Sequence, residues 1–305
     1  MKYLTGHILF LLFITATGCV KKVEEMEGPT IGRLEIWADE TMKDLVQQEE
    51  EIFERQYQYA HLDIHYANEH DMFKVFMEDS VDAIMTNRTL TEEETRYLDT
   101  KKQIARHYVF ATGAIAFVVN KNVPDTNYTY EQMAGMLAGH DSDALFVIEN
   151  VKSGITHEIL SLIRQENLPE HIYAFDKKQE VFDYVLEHDN AIGIIDYSEI
   201  SDSDMAYTRE ILSNFTLLGI TRPLDSLQAG FVKPYQYNLQ DRKYPFTRDL
   251  YFISKTGRND VGLGFATFLC AEIGQKIILK AGLLPKYQTL RSIEINYTSD
   301  IKVIK

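Results

Sequence analysis

Two rhythms of apolar residues alternate along this chain. Short solid or every-other-residue apolar runs give way to stretches with a period near 3.6, and the switch repeats through most of the sequence. Residues 33–37 predict a strand, and Met42, Leu45, Val46, Phe53 and Tyr57 stripe the helix that follows. Residues 62–66 alternate as a half-exposed strand, 70–78 carry helix signals, and 81–85 form a solid apolar strand. Thr91 with Glu94 three places on caps another helix. Strands are expected over 104–109 and 114–120. The pattern then restarts after Pro124, with helices over 130–137, 153–164 and 179–187 and strands over 144–148 and 191–195. Loop-rich sequence fills 220–244. A strand over 246–254 then leads, through a glycine-bearing turn, into one long amphipathic helix marked by Phe265, Phe268, Leu269, Ile273, Ile277 and Ile278 and stopped by Gly282 and Pro285. Alternation of this kind implies an α/β fold with parallel sheets covered by helices on both faces.

The first nineteen residues follow a different rule. Lys2, an apolar core over 8–16 and then Ala16-Thr17-Gly18-Cys19 have the parts of a signal peptide, and the apolar core is shorter than the roughly 20 residues that span a bilayer. Small residues ahead of Cys19 resemble a bacterial lipoprotein signal, which implies a signal peptide over 1–18 and a lipid on Cys19 that holds the chain at a membrane without crossing it. Residues 19–30, rich in Lys and Glu, read as a tether. The expected location is the cell envelope, facing the periplasm or the exterior.

The only other cysteine, Cys270, sits among Phe268, Leu269 and Ile273 as a small hydrophobe. Neither a redox pair nor a thiolate metal site can be built, so the fold must rest on its apolar core. With 31 basic and 46 acidic residues the net charge is −15, which argues against nucleic acid as a partner, because phosphate-backbone binding needs a basic face. A small anion remains compatible, since a helix N-terminus and one or two arginines suffice to hold it.

Several segments, in this order and spacing, resemble the phosphate-type substrate-binding proteins of ABC transporters. They are the strand, loop and acidic helix start of 81–94, the strand and helix of 114–139, the Ser-Gly loop of 151–160, the Ile-Gly strand of 191–200, and the closing strand and helix of 244–285. The resemblance implies a two-lobed, periplasmic-binding-protein-like (type II) fold with a hinge between the lobes. Its first lobe would span 31–117 and 241–305 and its second 118–240. It also implies no catalysis, no cofactor and no metal. The partners implied are a small anion, with phosphate first, and an ABC permease.

The same resemblance places ligand contacts at Thr41, at Asn87 and Arg88, and at Lys152, Ser153, Gly154 and Thr156. Independently of it, a small loop opening a helix offers free N–H groups and the positive end of a dipole, which suits Ser153 and Gly154 to an anion, although Ser153 also serves as an ordinary cap. Arg88 presents a fork that fits an oxyanion or, equally, the acidic residues Glu92 to Glu94 beside it. Thr41 likewise reads as a cap for the helix it opens.

Acidic residues stand where relatives carry small residues or an arginine: Asp39, Glu40, Glu69, Asp71 and Glu149. Around one cleft they would repel a dianion unless paired or turned away, at about 4 kcal/mol for each like charge about 4 Å off in an effective dielectric near 20. A second function therefore stands beside anion capture: an interaction or scaffold lipoprotein of the envelope whose cleft no longer takes phosphate. Two further constellations carry other chemistry. Ser153 and His157 share a helix face as a nucleophile and base would. His61, Asp63 and His65 share a strand face that could bind a divalent metal, or is simply the solvent face of an edge strand.

Overall fold

The computed structural model describes residues 27–140, 143–223, 230–257 and 259–287. The expected signal peptide, Cys19 and residues 288–305 lie outside the described residues.

In chain order the first elements are β1 (Ile31–Asp39), α1 (Lys43–Gln56), β2 (Tyr59–Ala67), α2 (Glu69–Met77), β3 (Ala83–Thr86), α3 (Glu92–Thr100) and β4 (Arg106–Asn120). Next come α4 (Tyr130–Leu137), β5 (Leu145–Glu149), α5 (Gly154–Ile163), β6 (Ile172–Phe175), α6 (Lys178–Glu187), β7 (Ala191–Asp196), α7 (Ala206–Asn214) and β8 (Phe215–Leu217). Then come β9 (Thr247–Ser254), α8 (Val261–Cys270) and α9 (Glu272–Lys280), and Leu284–Pro285 pairs back on β4. The main sheet runs β2-β1-β3-β9-β4-β7-β5-β6, and β8 pairs with the far end of β4. Pairing is parallel within β2-β1-β3 and within β7-β5-β6, as βαβ connections require. Between these two groups β9 and β4 run antiparallel to their neighbours, so the sheet is mixed rather than purely parallel.

Each group of strands has its own lobe. In the first, Met42, Leu45, Val46 and Phe53 of the predicted stripe are buried and Tyr57, just past α1, is half-buried; Phe53 meets Phe265 and Phe268 edge to face at 5.2 and 5.3 Å. In the second, Phe146 and Phe182 are fully covered, and Phe182 lies 5.1 Å from Phe215. Burying each such ring is worth about 1.5–3 kcal/mol.

Two sequence expectations change. The strands expected over 104–109 and 114–120 are one strand of 15 residues. Thr112 and Gly113 do not break it because β9 stays paired alongside, as far as Thr247 opposite Ala114. The long C-terminal helix is two helices bent by 58° at Ala271. Ala271 is extended (ψ 173°), and Gly274 lets α9 fold back, since a Cβ there would stand 2.5 Å from the Phe268 carbonyl oxygen. The bend brings Gln275 inward, where its Nε2 donates to the Phe110 carbonyl at 2.9 Å.

The lobes are joined where β4 changes partners. Through Ala114 it pairs with β9, and from Ile115 it pairs with β7. The returning chain lies against the same place. Tyr244 Oη donates to the Ile115 carbonyl at 2.8 Å, Ile115 N–H donates to the Phe246 carbonyl at 2.9 Å, and Phe246 meets Phe117 edge to face.

Candidate functional site

The carboxyl ends of β1, β2, β3, β5 and β7 point at one another across the space between the lobes, the position where open α/β sheets hold ligands. From the first lobe come the turn after β1, the start of α2, the loop after β3, and Arg248 on β9. From the second come the start of α5 and the turn after β7.

The start of α5 is built as its sequence predicts. Ser153 caps it, accepting from Thr156 N–H at 3.2 Å, and Thr156 Oγ1 donates to the Asn150 carbonyl at 3.0 Å. The two hydroxyls also lie 3.2 Å apart, so both are engaged within the loop. Gly154 faces the other lobe at very close range. A Cβ there would stand 2.5 Å from Glu69 Oε2 and 2.8 Å from Arg248 Nη2. A larger residue would have to push aside the ends of the Glu69 and Arg248 side chains.

Arg248 is the residue that sequence reasoning missed. It is 4% exposed; Nη1 donates to Asp196 Oδ2 at 3.0 Å, and Nε lies 2.8 Å from Glu158 Oε2. The available signal was one arginine near the head of a strand whose later residues, Leu250 to Ile253, are aromatic and aliphatic. Its neighbour Asp39 is buried, and its carboxyl is pushed up to about 6 by burial, against the hydrogen bonds from Thr41 N–H and Oγ1 (3.0 and 2.7 Å) and the Arg248 charge. Thr41 is therefore turned toward Asp39, with Asn87 Nδ2 3.5 Å from its hydroxyl. Asn87 Oδ1 is buried and has no hydrogen-bond partner among the described residues.

Arg88 is held on every side. Its Nε donates to Glu69 Oε1 at 2.9 Å, its two terminal nitrogens donate to the Glu94 carboxylate at 2.8 and 2.9 Å, and its guanidinium lies 3.5 Å over the Phe73 ring. The pairing with an acidic helix start is thus realised through Glu94, which also completes the capping box of α3. Lys152 Nζ reaches Asp71 Oδ1 across the cleft at 3.3 Å, with both side chains largely exposed.

The five acidic residues separate into different environments. Glu69 sits in the cleft, within 3.2 Å of His157 Nδ1. Burial pushes Glu69 up, but the hydrogen bond from His157 and the Arg88 charge hold it below the usual carboxylate range. Asp71 lies at the cleft rim and Asp39 beneath it. Glu40 is exposed, and Glu149 turns to accept the Lys178 N–H at the start of α6, at 3.0 Å. Ser153 and His157, one turn apart, point to different partners, Thr156 and Glu69. His61, Asp63 and His65 lie along edge strand β2, and no group of three or more potential ligands able to hold a metal occurs among the described residues.

Beside Gly154, Asn87, Arg88, Glu158 and Arg248 lies a polar cavity of about 340 Å³, and a larger one of about 530 Å³ opens on the far side of Glu69.

Two α/β lobes on one sheet, joined at two adjacent passages with polar loops converging between them, define the class of two-lobed binding proteins. The chain belongs to the PBP superfamily, whose domain model matches residues 23–272. It is 23% identical over 211 residues to the phosphate-binding protein PstS of Borreliella burgdorferi, covering 66% of this chain and 71% of that one. Its fold is that of a putative phosphate ABC transporter substrate-binding protein with bound phosphate from Clostridium perfringens (TM-score 0.65, 19% identity, 83% of this chain and 99% of that one). An ABC-type phosphate transport receptor from Vibrio cholerae is similar to the same extent (TM-score 0.63, 16% identity, 83% and 99%).

Proposed function

We propose that this chain is an extracytoplasmic solute-binding protein that captures phosphate or a similar oxyanion between its lobes and passes it to an ABC transporter. The carrying observation is Gly154, the first residue of α5, placed against the guanidinium of the buried Arg248. A helix N-terminus and an arginine fork are complementary to an oxyanion, and Gly154 allows it to approach the backbone. Asn87 Oδ1 adds a buried acceptor without a donor, which suits an anion that still carries one proton. Ser153 and Thr156 hold the loop, Thr41 orients Asn87 and Asp39, and Arg88 and Lys152 provide charge from either side of the cleft.

The same reading gives Cys19 a lipid, with residues 1–18 removed and 19–30 as a leash to the membrane. Closure of the lobes would turn on the passage at Ala114 and Ile115. Calorimetric titration of the full chain with phosphate and with sulfate tests the reading. Saturable heat with phosphate that Arg248→Ala abolishes is the expected result, and absence of heat with either anion from folded protein would overturn it. The second reading, an envelope interaction protein, is favoured by one observation: Arg88, Lys152 and Arg248 each already face a carboxylate.

A further inference from the structure

Glu69 is a protein carboxylate standing where an oxyanion would bind. It belongs to the first turn of α2, in the first lobe, yet two of its contacts are with the second. Oε2 stands 2.5 Å from the place of a Cβ on Gly154, and Oε1 lies 3.2 Å from His157 Nδ1 while accepting from Arg88 Nε at 2.9 Å. A helix N-terminus, an imidazole and a guanidinium are the groups an anionic solute would use. One side chain, itself 6% exposed, takes the imidazole and the guanidinium and lies against the Gly154 position at the helix start.

The next residue carries the bridge further. His70 N–H is the second amide of α2, a position without an acceptor inside its own helix, and it donates across the cleft to the Lys152 carbonyl at 3.3 Å. Lys152 in turn faces Asp71. Three consecutive residues of α2, Glu69, His70 and Asp71, thus contact the other lobe directly.

We propose that Glu69 is an internal surrogate ligand: its carboxylate closes the cleft in the absence of solute, and an oxyanion binds only by displacing it from Gly154, His157 and Arg88. Glu69 then sets selectivity as well as closure. A simple carboxylate solute offers this seat nothing that Glu69 does not already give. A tetrahedral oxyanion brings more oxygens, and it can reach Arg248 Nη2 and the Asn87 acceptor together with the helix start. The ligand half of this proposal rests on the oxyanion reading above; the closure half does not.

The test is Glu69→Gln in the full chain, which keeps the shape and removes the charge. Two readouts are followed, hydrogen exchange resolved to the His70 amide and calorimetry with inorganic phosphate. Core amides such as that of Ile84 report that the variant is folded. In the unaltered protein without solute the His70 amide is expected to be protected. In Glu69→Gln it should exchange at least tenfold faster, phosphate should restore its protection, and phosphate should bind at least tenfold more tightly than to the unaltered chain. Equal exchange at His70 in both proteins, with core amides unchanged, would overturn the proposal. Fast exchange in Glu69→Gln that phosphate does not slow, with no heat of binding, would leave Glu69 as the closing contact and refute the oxyanion reading and the displacement step that rests on it.

Discussion

Arg248 Nη1 holds Asp196 Oδ2 at 3.0 Å, with the arginine side chain 2% exposed and the aspartate 1%, so β9 of one lobe is tied to the end of β7 in the other by an almost wholly buried ion pair. Breaking such a pair by removing one partner leaves a buried charge uncompensated, which costs about 3–5 kcal/mol. Arg248→Met is therefore expected to lower the unfolding free energy in urea by that amount. Glu158, at 40% exposure, contributes little to this loss, because its charge is screened by water.

Tyr244→Phe removes the hydrogen bond to the Ile115 carbonyl and leaves that acceptor buried beside the lobe crossing. The expected loss is about 1–3 kcal/mol, read as a fall in the denaturation midpoint with unchanged slope.

Asp39 gives a pH-dependent prediction whose sign follows from its raised value of about 6 against an ordinary 3.8. Below 3.8 the carboxyl is protonated in folded and unfolded chains alike, and burial has no electrostatic cost. As pH rises toward 6 the unfolded chain ionises first, so the folded state loses stability, by up to about 3 kcal/mol once pH exceeds 6. Asp39→Asn, which keeps an acceptor for Thr41, should be more stable than the unaltered chain at pH 7.5 and indistinguishable from it at pH 3.5. An equal effect at both values would show that this carboxyl is not shifted.

His157 is held above its ordinary value by the hydrogen bond to Glu69, against burial, while Arg88, Glu94, Lys152, Asp71, Glu158 and Arg248 complete the charged surroundings of the contact. The imidazolium contributes fully below about 6.5 and is lost as pH rises through the raised folded value; Glu69 contributes fully above about 4.5 and is lost as pH falls through its lowered one. The pair is therefore strongest between these limits. NMR titration should find His157 with a pKa above that of His107, which burial lowers, and Glu69→Gln should bring the His157 value down.

Much of this was legible in the residues themselves. The α1 stripe of Leu45, Val46 and Phe53 is buried as its spacing requires, and Thr91 with Glu94 forms the capping box that the pair of residues announces. Local signals of this kind read well because period and capping are set by near neighbours. The break at Ala271 was hidden, because Phe265 to Ile278 keeps a helical spacing straight through it. What permits the bend is the missing side chain of Gly274 beside the Phe268 carbonyl, a matter of three dimensions. Arg248 was hidden for the same reason: an arginine in a strand acquires its meaning only when Asp196, Glu158 and Gly154 arrive from other parts of the chain. Arg88 was legible as a choice between an anion and its acidic neighbours, and side-chain geometry gives it Glu94 and Glu69 together.

The change of partners along β4 has a mechanical meaning. Ala114 is the last residue paired to one half of the sheet and Ile115 the first paired to the other, and Tyr244 and Phe246 fasten the second passage to that same spot. The two halves are therefore hung like a door on two pins set side by side. For the closure proposed above, such a mounting would resist sliding and shear and favour one rotation, about an axis running through both passages.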